Sequence, residues 1–174
     1  MSTTAPSGLL EGAALAAWRS YLQSHARILR ELDADLLADQ GMTTRDYQVL
    51  LYLSKEPERR LAMSALAERT MLTRSGITRL VDGLVAAGLV QRISCPNDAR
   101  VSYAALTDTG YERLRQAGCT HIAGIQRLFL EHFNEGEITQ LAELLSRLPG
   151  AAPDGSCTAD ACTADDSCTV APSD

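Results

Sequence analysis

The chain has 174 residues, 45% of them apolar, and a net charge of −6. That is enough to bury a core, and no run of about 18 apolar residues is present to cross a membrane. The overall charge argues against a nucleic-acid partner, but its distribution argues for one. Residues 1–43 hold three basic and five acidic side chains, residues 44–106 nine and six, and residues 107–174 four and eleven. The middle of the chain is therefore basic between two acidic flanks. The N-terminus, MSTTAPSGLLEGAAL, lacks the basic start of a secretory signal, which points to the cytoplasm. Five cysteines, an odd number, in that compartment argue against a disulfide framework.

Gly8 to Asp39 is rich in Ala and Leu and free of proline, with Leu15, Trp18, Leu22, Leu29, Leu32 and Leu36 at helical spacing. One long helix ending near Gly41 is expected. At about 30 residues it is ~45 Å long, more than a small domain's width, so its ends should pack on another chain. A second helix opens at Thr44 or Arg45, carries Tyr47, Leu50, Leu51 and Leu53, and stops before Pro57.

Met63 to Thr70 predicts a short helix with Ser64 as N-cap. Thr73 caps the next, from Arg74 to Ala87, where Ile77, Leu80, Val81 and Leu84 form an inward stripe and Gly88 is the stop. That stripe leaves Arg74, Ser75, Thr78, Arg79 and Asp82 outward. Val90–Ser94 and Val101–Leu106 read as two strands joined by the turn formers Cys95 to Arg100. Thr107 then caps a long helix with Leu114, Ile122, Ile125, Leu128, Phe129 and Phe133 as its apolar set. Glu135 to Leu148 is a final helix, and residues 149–174, with five acids and no base, read as a disordered tail.

Helix, turn, helix and hairpin in that order, with almost no spare residues, is a winged helix-turn-helix. The fold class expected is mainly α, with long N- and C-terminal helices and a small β-hairpin wing. Four segments follow: an N-terminal dimerisation helix (1–43), the winged DNA-binding region (44–106), C-terminal dimerisation helices (107–148) and the acidic Cys-containing tail (149–174). The outward groups of the second helix suit a major groove. Arginine can take guanine bidentately, and threonine can meet a thymine methyl. Arg92 stands at the base of the wing. Asn97, Asp98 and Arg100 lie at its tip, where the aspartate is better explained as a brace for a guanidinium than as a phosphate reader.

Two stretches, TRSGITRLVDGLVAAGLVQR and SCPNDARVSYAALTDTG, resemble the MarR family, the multiple-antibiotic-resistance regulators. The second is similar to that family's D-P-x-D-x-R…L-T-x-x-G signature, with Cys95 where an acid is usual and Val101 where a polar or basic residue is common. The resemblance covers roughly Trp18 to Leu148. It implies a homodimer on a pseudo-palindromic double-stranded operator, acting as a repressor of adjacent genes. It places the groove-reading residues at Arg74, Ser75, Thr78 and Arg79, with Arg100 and Asp98 in the wing. The need for a dimer also follows from geometry, because two reading helices ~34 Å apart meet two half-sites one helical turn apart.

The resemblance also implies an effector, since many members of that family bind small aromatic anions between the dimer helices and the reading domain. Candidates for such a site are Arg19, Tyr21, His25 and Arg27 on the first helix, with Tyr47 and Tyr52 on the second. The rival input is sulfur or a metal. Cys157, Cys162 and Cys168 in the tail could pair on oxidation or hold a thiophilic ion, although their spacing is not that of a C-x2-C zinc site. Cys95, beside arginines, could be oxidised in the wing. Cys119 reads as packing. No cofactor is expected, and an enzyme is the least favoured class: His25, His121 and His132 lack triad or metal-pair spacing, and no Gly-rich phosphate loop is present.

Overall fold

The computed structural model describes residues 10–95 and 98–150, the side chains of 95–101 excepted. In chain order the elements are α1 (Gly12–Gln40), α2 (Thr44–Ser54), a 3-10 turn (Pro57–Arg59), β1 (Arg60–Ala62), α3 (Met63–Arg69) and α4 (Arg74–Ala86). There follow β2 (Val90–Cys95), β3 (Asp98–Leu106), α5 (Asp108–Leu128), a second 3-10 turn (Leu130–His132) and α6 (Glu135–Leu145). The fold is mainly helical with a winged helix-turn-helix at its centre, as the sequence indicates.

The helix ends follow local chemistry. α1 stops at Gly41, whose φ of 64° turns the chain left-handed while its N–H bonds the Leu37 carbonyl. α2 opens on a capping box: the Thr43 hydroxyl accepts from Asp46 N–H, and the Asp46 carboxylate accepts from Thr43 N–H. Thr73 and Thr107 cap α4 and α5 with the hydroxyl alone, accepting from Gly76 N–H and Gly110 N–H. α3 departs from expectation. Its N-cap is Ala62, with no side-chain bond, because β1 runs straight into the helix and Ser64 falls inside the first turn. α5 also ends earlier than expected. The chain leaves helical geometry at Phe129, whose ring packs on Phe133 at 5.5 Å.

The sheet is antiparallel in the order β1-β3-β2. Val90 pairs with Leu106 and Ser94 with Ser102, and the ladder becomes irregular between Ser94 and Cys95. β1, pairing Arg60 with Ala105, is a third strand that the sequence did not announce. The core fills the space between α2, α3, α4 and the base of the wing. Leu36, Val49, Leu50, Leu53, Leu66, Ile77, Val81 and Leu114 are its fully buried members. Each such burial is worth about 1.5–3 kcal/mol.

α1 and α5 pack on one another through Leu32 against Gly124, reinforced by Arg127 to Asp35 at 2.7 Å. Outside that contact both ends of the described chain show apolar groups to solvent. Trp18, Tyr21, Leu22 and Leu29 of α1 are exposed, as are Leu144 and Leu145 of α6, and α6 buries no residue at all. Among the described residues, only the Leu32–Leu36 end of the expected α1 stripe is buried.

Candidate nucleic-acid interface

The α4 face is built by its period. Ile77, Val81 and Leu84 point into the core. Arg74, Ser75, Thr78, Arg79 and Asp82 lie on the opposite side, and Arg74, Ser75, Thr78, Arg79 and Asp82 are set apart from that buried stripe. Arg74 lies over Thr78 and Ser75 over Arg79, four residues apart, so the polar groups form two adjacent ridges on one surface. Thr73 fixes where that surface begins, and its hydroxyl also lies 3.2 Å from that of Ser75.

The wing is latched to this helix. Arg92 donates to the Asp82 carboxylate at 2.8 Å and to the Thr78 carbonyl at 3.3 Å. An exposed pair of this kind adds about 0–1 kcal/mol to stability, so its main effect is to set the wing's angle against α4. Asp82 thus braces the Arg92 guanidinium at the base of the wing. Between α3, α4 and the wing lies an open cleft of about 370 Å³ lined by Met63, Ser64, Arg74, Thr78, Arg92 and Ser102. Its hydroxyl and guanidinium donors are of the kind that position a phosphate backbone. Asn97 lies outside the described residues, as do the side chains of Cys95, Asp98 and Arg100.

The end of the wing is joined to α5 by the residues Leu106 to Gly110. Thr107 N–H donates to the Leu89 carbonyl at 3.1 Å, and its hydroxyl reaches the Gly88 carbonyl at 2.8 Å. Gly110 lies so close that a Cβ there would sit 2.0 Å from the Leu89 oxygen. The L-T-x-x-G run is therefore a joint between the reading surface and the long helix.

The residues expected to hold an effector separate into two places. Tyr21 stacks on His25 at 5.9 Å and lies 6.1 Å from Trp18 along the exposed side of α1, where Arg19 is exposed too. Arg27 is paired with Glu31 at 2.8 Å and holds that carboxyl below its ordinary range. Tyr47 is instead buried, its ring 4.6 Å from that of His121 on α5. Among the described residues, Thr44 Oγ1 and His121 Nδ1 are buried polar atoms with no hydrogen-bond partner. Such atoms are costly unless something fills the gap. His121 is not among the residues expected at an effector site. The one signal for it in the sequence is its spacing from Ala117, Gly118 and Gly124, which places it beside the buried stripe of α5.

Burial pushes the His121 imidazole below its ordinary value of 6.5. The unfolded chain then takes up this proton before the folded one. Its stabilising contribution is complete above the ordinary value and is lost as pH falls through it toward the folded value. Thermal midpoints at about pH 7.5 and about pH 5.5 should therefore differ less for His121→Phe than for the unaltered chain. An identical decline in both excludes His121 as the titrating group.

Cys119, expected as packing, is exposed on α5, its sulfur 3.9 Å from the Arg115 carbonyl oxygen. Cys157, Cys162 and Cys168 lie outside the described residues. Among the described residues no group of three or more His, Cys, Asp or Glu side chains could hold a metal, and no helix is long and apolar enough to cross a membrane.

An exposed polar helix in the second position of a helix-turn-helix, flanked by a latched hairpin, defines a winged-helix DNA-binding regulator. Residues 40–101 match the family model described as MarR family. The HTH-type transcriptional repressor YetL of Bacillus subtilis is 30% identical over 115 residues, 64% of this chain and 68% of that protein. AbsC, a MarR family transcriptional regulator from Streptomyces coelicolor, is 31% identical with a TM-score of 0.74, over 80% of this chain and 93% of that one. Sco3205 from the same organism, solved in complex with DNA, is 33% identical, also with a TM-score of 0.74, over 78% and 88%. The chain belongs to the MarR family of transcriptional regulators.

Proposed function

We propose that this regulator is a homodimeric repressor that reads a pseudo-palindromic operator with α4 and contacts the flanking backbone with its wing. The observation that carries the reading is the ridge pair of Arg74, Ser75, Thr78 and Arg79, set beside Arg92 at the base of the wing. Arg100, Asp98 and Asn97 are the wing's own candidates. Pairing is supported by the uncovered apolar side chains of α1 and α6, the kind of surface that a protein–protein contact covers. Sedimentation at micromolar concentration should give a dimer, and a monomer there removes the two-site reading. A cytoplasmic location accords with this role.

A small aromatic acid is the input that fits best. Thr44 Oγ1 and His121 Nδ1, the latter next to the Tyr47 ring, offer two unpaired polar atoms to such a ligand near the α2–α5 contact. Arg19, Tyr21 and His25 are the second place for it. Thermal shift with a series of phenolic acids tests this, and a shift that survives loss of both sites excludes them. A second reading, control by thiol oxidation, is favoured by the exposure of Cys119 on α5. In a cytosol a disulfide is transient and regulatory. Two thiols would give up two protons and two electrons to a peroxide, yielding the disulfide, water and an alcohol. DNA affinity insensitive to peroxide, with unchanged behaviour of Cys119→Ser, rejects it.

A further inference from the structure

The turn between α3 and α4 holds a residue that the fold does not use. Met71 is 92% exposed, more than any other exposed large apolar side chain among the described residues. Its φ is +53°, in the left-handed region that favours glycine. It follows the C-cap of α3, Thr70. Met71 N–H bonds the Glu68 carbonyl at 3.1 Å, and Leu72 N–H reaches back to the Ala67 carbonyl at 3.0 Å. That paired pattern is the helix ending at which glycine is usual. Leu72, the next residue, does the packing, half-buried against the core. Met71 thus adds nothing to the core and strains the backbone that carries it.

Its position gives the reason to keep it. Met71 lies two residues before Thr73, the cap of α4, and three before Arg74, the first cation of the reading ridge. In a helix-turn-helix it is the N-terminal end of the second helix that meets base edges. An apolar side chain at that rim has one specific partner in a major groove, the C5-methyl of thymine. An unbranched thioether is also adaptable enough to cover it.

We propose that Met71 is a specificity-determining residue whose side chain covers a thymine methyl at the edge of each half-site. This rests on α4 being the DNA-reading helix, but no assignment made from the polar face includes it. The probe is the tightest duplex selected from a random-sequence pool, with each thymine replaced in turn by deoxyuridine. The methyl is removed and every hydrogen-bonding group is kept.

For the unaltered chain, one position per half-site should lose about fourfold in affinity, the worth of one buried methyl-sized group. For Met71→Gly the selected duplex should bind more weakly, and the deoxyuridine at that position should have no further effect. The same variant should melt at a higher temperature, since glycine relieves the left-handed strain. Weaker binding by a more stable protein cannot come from misfolding. Identical deoxyuridine profiles for the two proteins overturn the proposal, as does a uniform loss at all positions, which marks a sugar contact or a protein partner. Those results leave the DNA reading standing. Failure of the unaltered chain to select any duplex sinks that reading and the proposal with it.

Discussion

Arg79→Ala is expected to abolish sequence-specific DNA binding while leaving the folded protein intact. Arg79 is exposed in the middle of the α4 ridge, one turn beyond Ser75. A bidentate arginine–guanine contact is worth about 1–3 kcal/mol. A symmetric dimer makes it twice, so about 2–6 kcal/mol is lost, which is roughly 30-fold at least and more than 10,000-fold at most. An exposed helical arginine replaced by alanine changes stability by no more than about 0.5 kcal/mol. The two measurements therefore separate cleanly. A mobility shift on the selected duplex should nearly vanish, and the melting temperature should hold. Affinity within about threefold of the unaltered chain, which is under 1 kcal/mol, would remove Arg79 from the interface.

The second large effect concerns the fold. Gly110→Ala should destabilise the protein by about 3 kcal/mol or more, a shift on the order of 10 °C in melting temperature. The added Cβ would lie 2.0 Å from the Leu89 oxygen, 2.9 Å from its carbonyl carbon and 2.8 Å from Leu106 Cδ1. The Leu106 methyl can swing aside, but the Leu89 carbonyl cannot. It is held by the Thr107 N–H and by the Thr107 hydroxyl, each at 3.1 Å. Relief must come from separating the end of the wing from α5, and that separation also tilts the reading surface on the long helix. Gly83→Ala is the matched control. It is exposed inside α4 with nothing within 4 Å, so it should gain about 0.8–1 kcal/mol from helix propensity. Equal melting temperatures for the two variants would contradict the steric account of the joint.

These two residues also mark what can be read from the sequence. The Arg79 face is legible because Ile77, Val81 and Leu84 repeat at helical spacing and Thr73 fixes the start. Everything needed lies within about 15 residues. Gly110 is visible as part of a motif, but its reason is not, since the Leu89 carbonyl that crowds it comes from the other side of the hairpin. β1 escapes for the same cause. Three residues carry no period, and their pairing with Ala105, Ala104 and Tyr103 is made some 40 positions away. Ser64 fails as a cap because a strand feeding directly into α3 displaces the boundary.

At the site, the polar face is local and the couplings are not. Arg92 can be named from the sequence as a basic group at the base of the wing, but its pairing with Asp82 needs the hairpin folded back on α4. The α1 stripe is apolar, as its spacing indicates, yet Trp18, Leu22 and Leu29 remain exposed, because no described part of this chain covers them. For His121, catalytic spacings are the wrong test. Its burial against Tyr47 depends on α2 and α5 meeting across more than 70 residues.

On the proposed reading, two copies of the chain place their α4 helices in successive turns of one major groove. Insertion of half a helical turn, about five base pairs, between the half-sites of the selected duplex tests it most directly. Binding should collapse to the nonspecific level, and a further half turn should restore much of it. Undiminished affinity for the half-turn duplex, or tight binding to a single half-site by one copy, would contradict that arrangement.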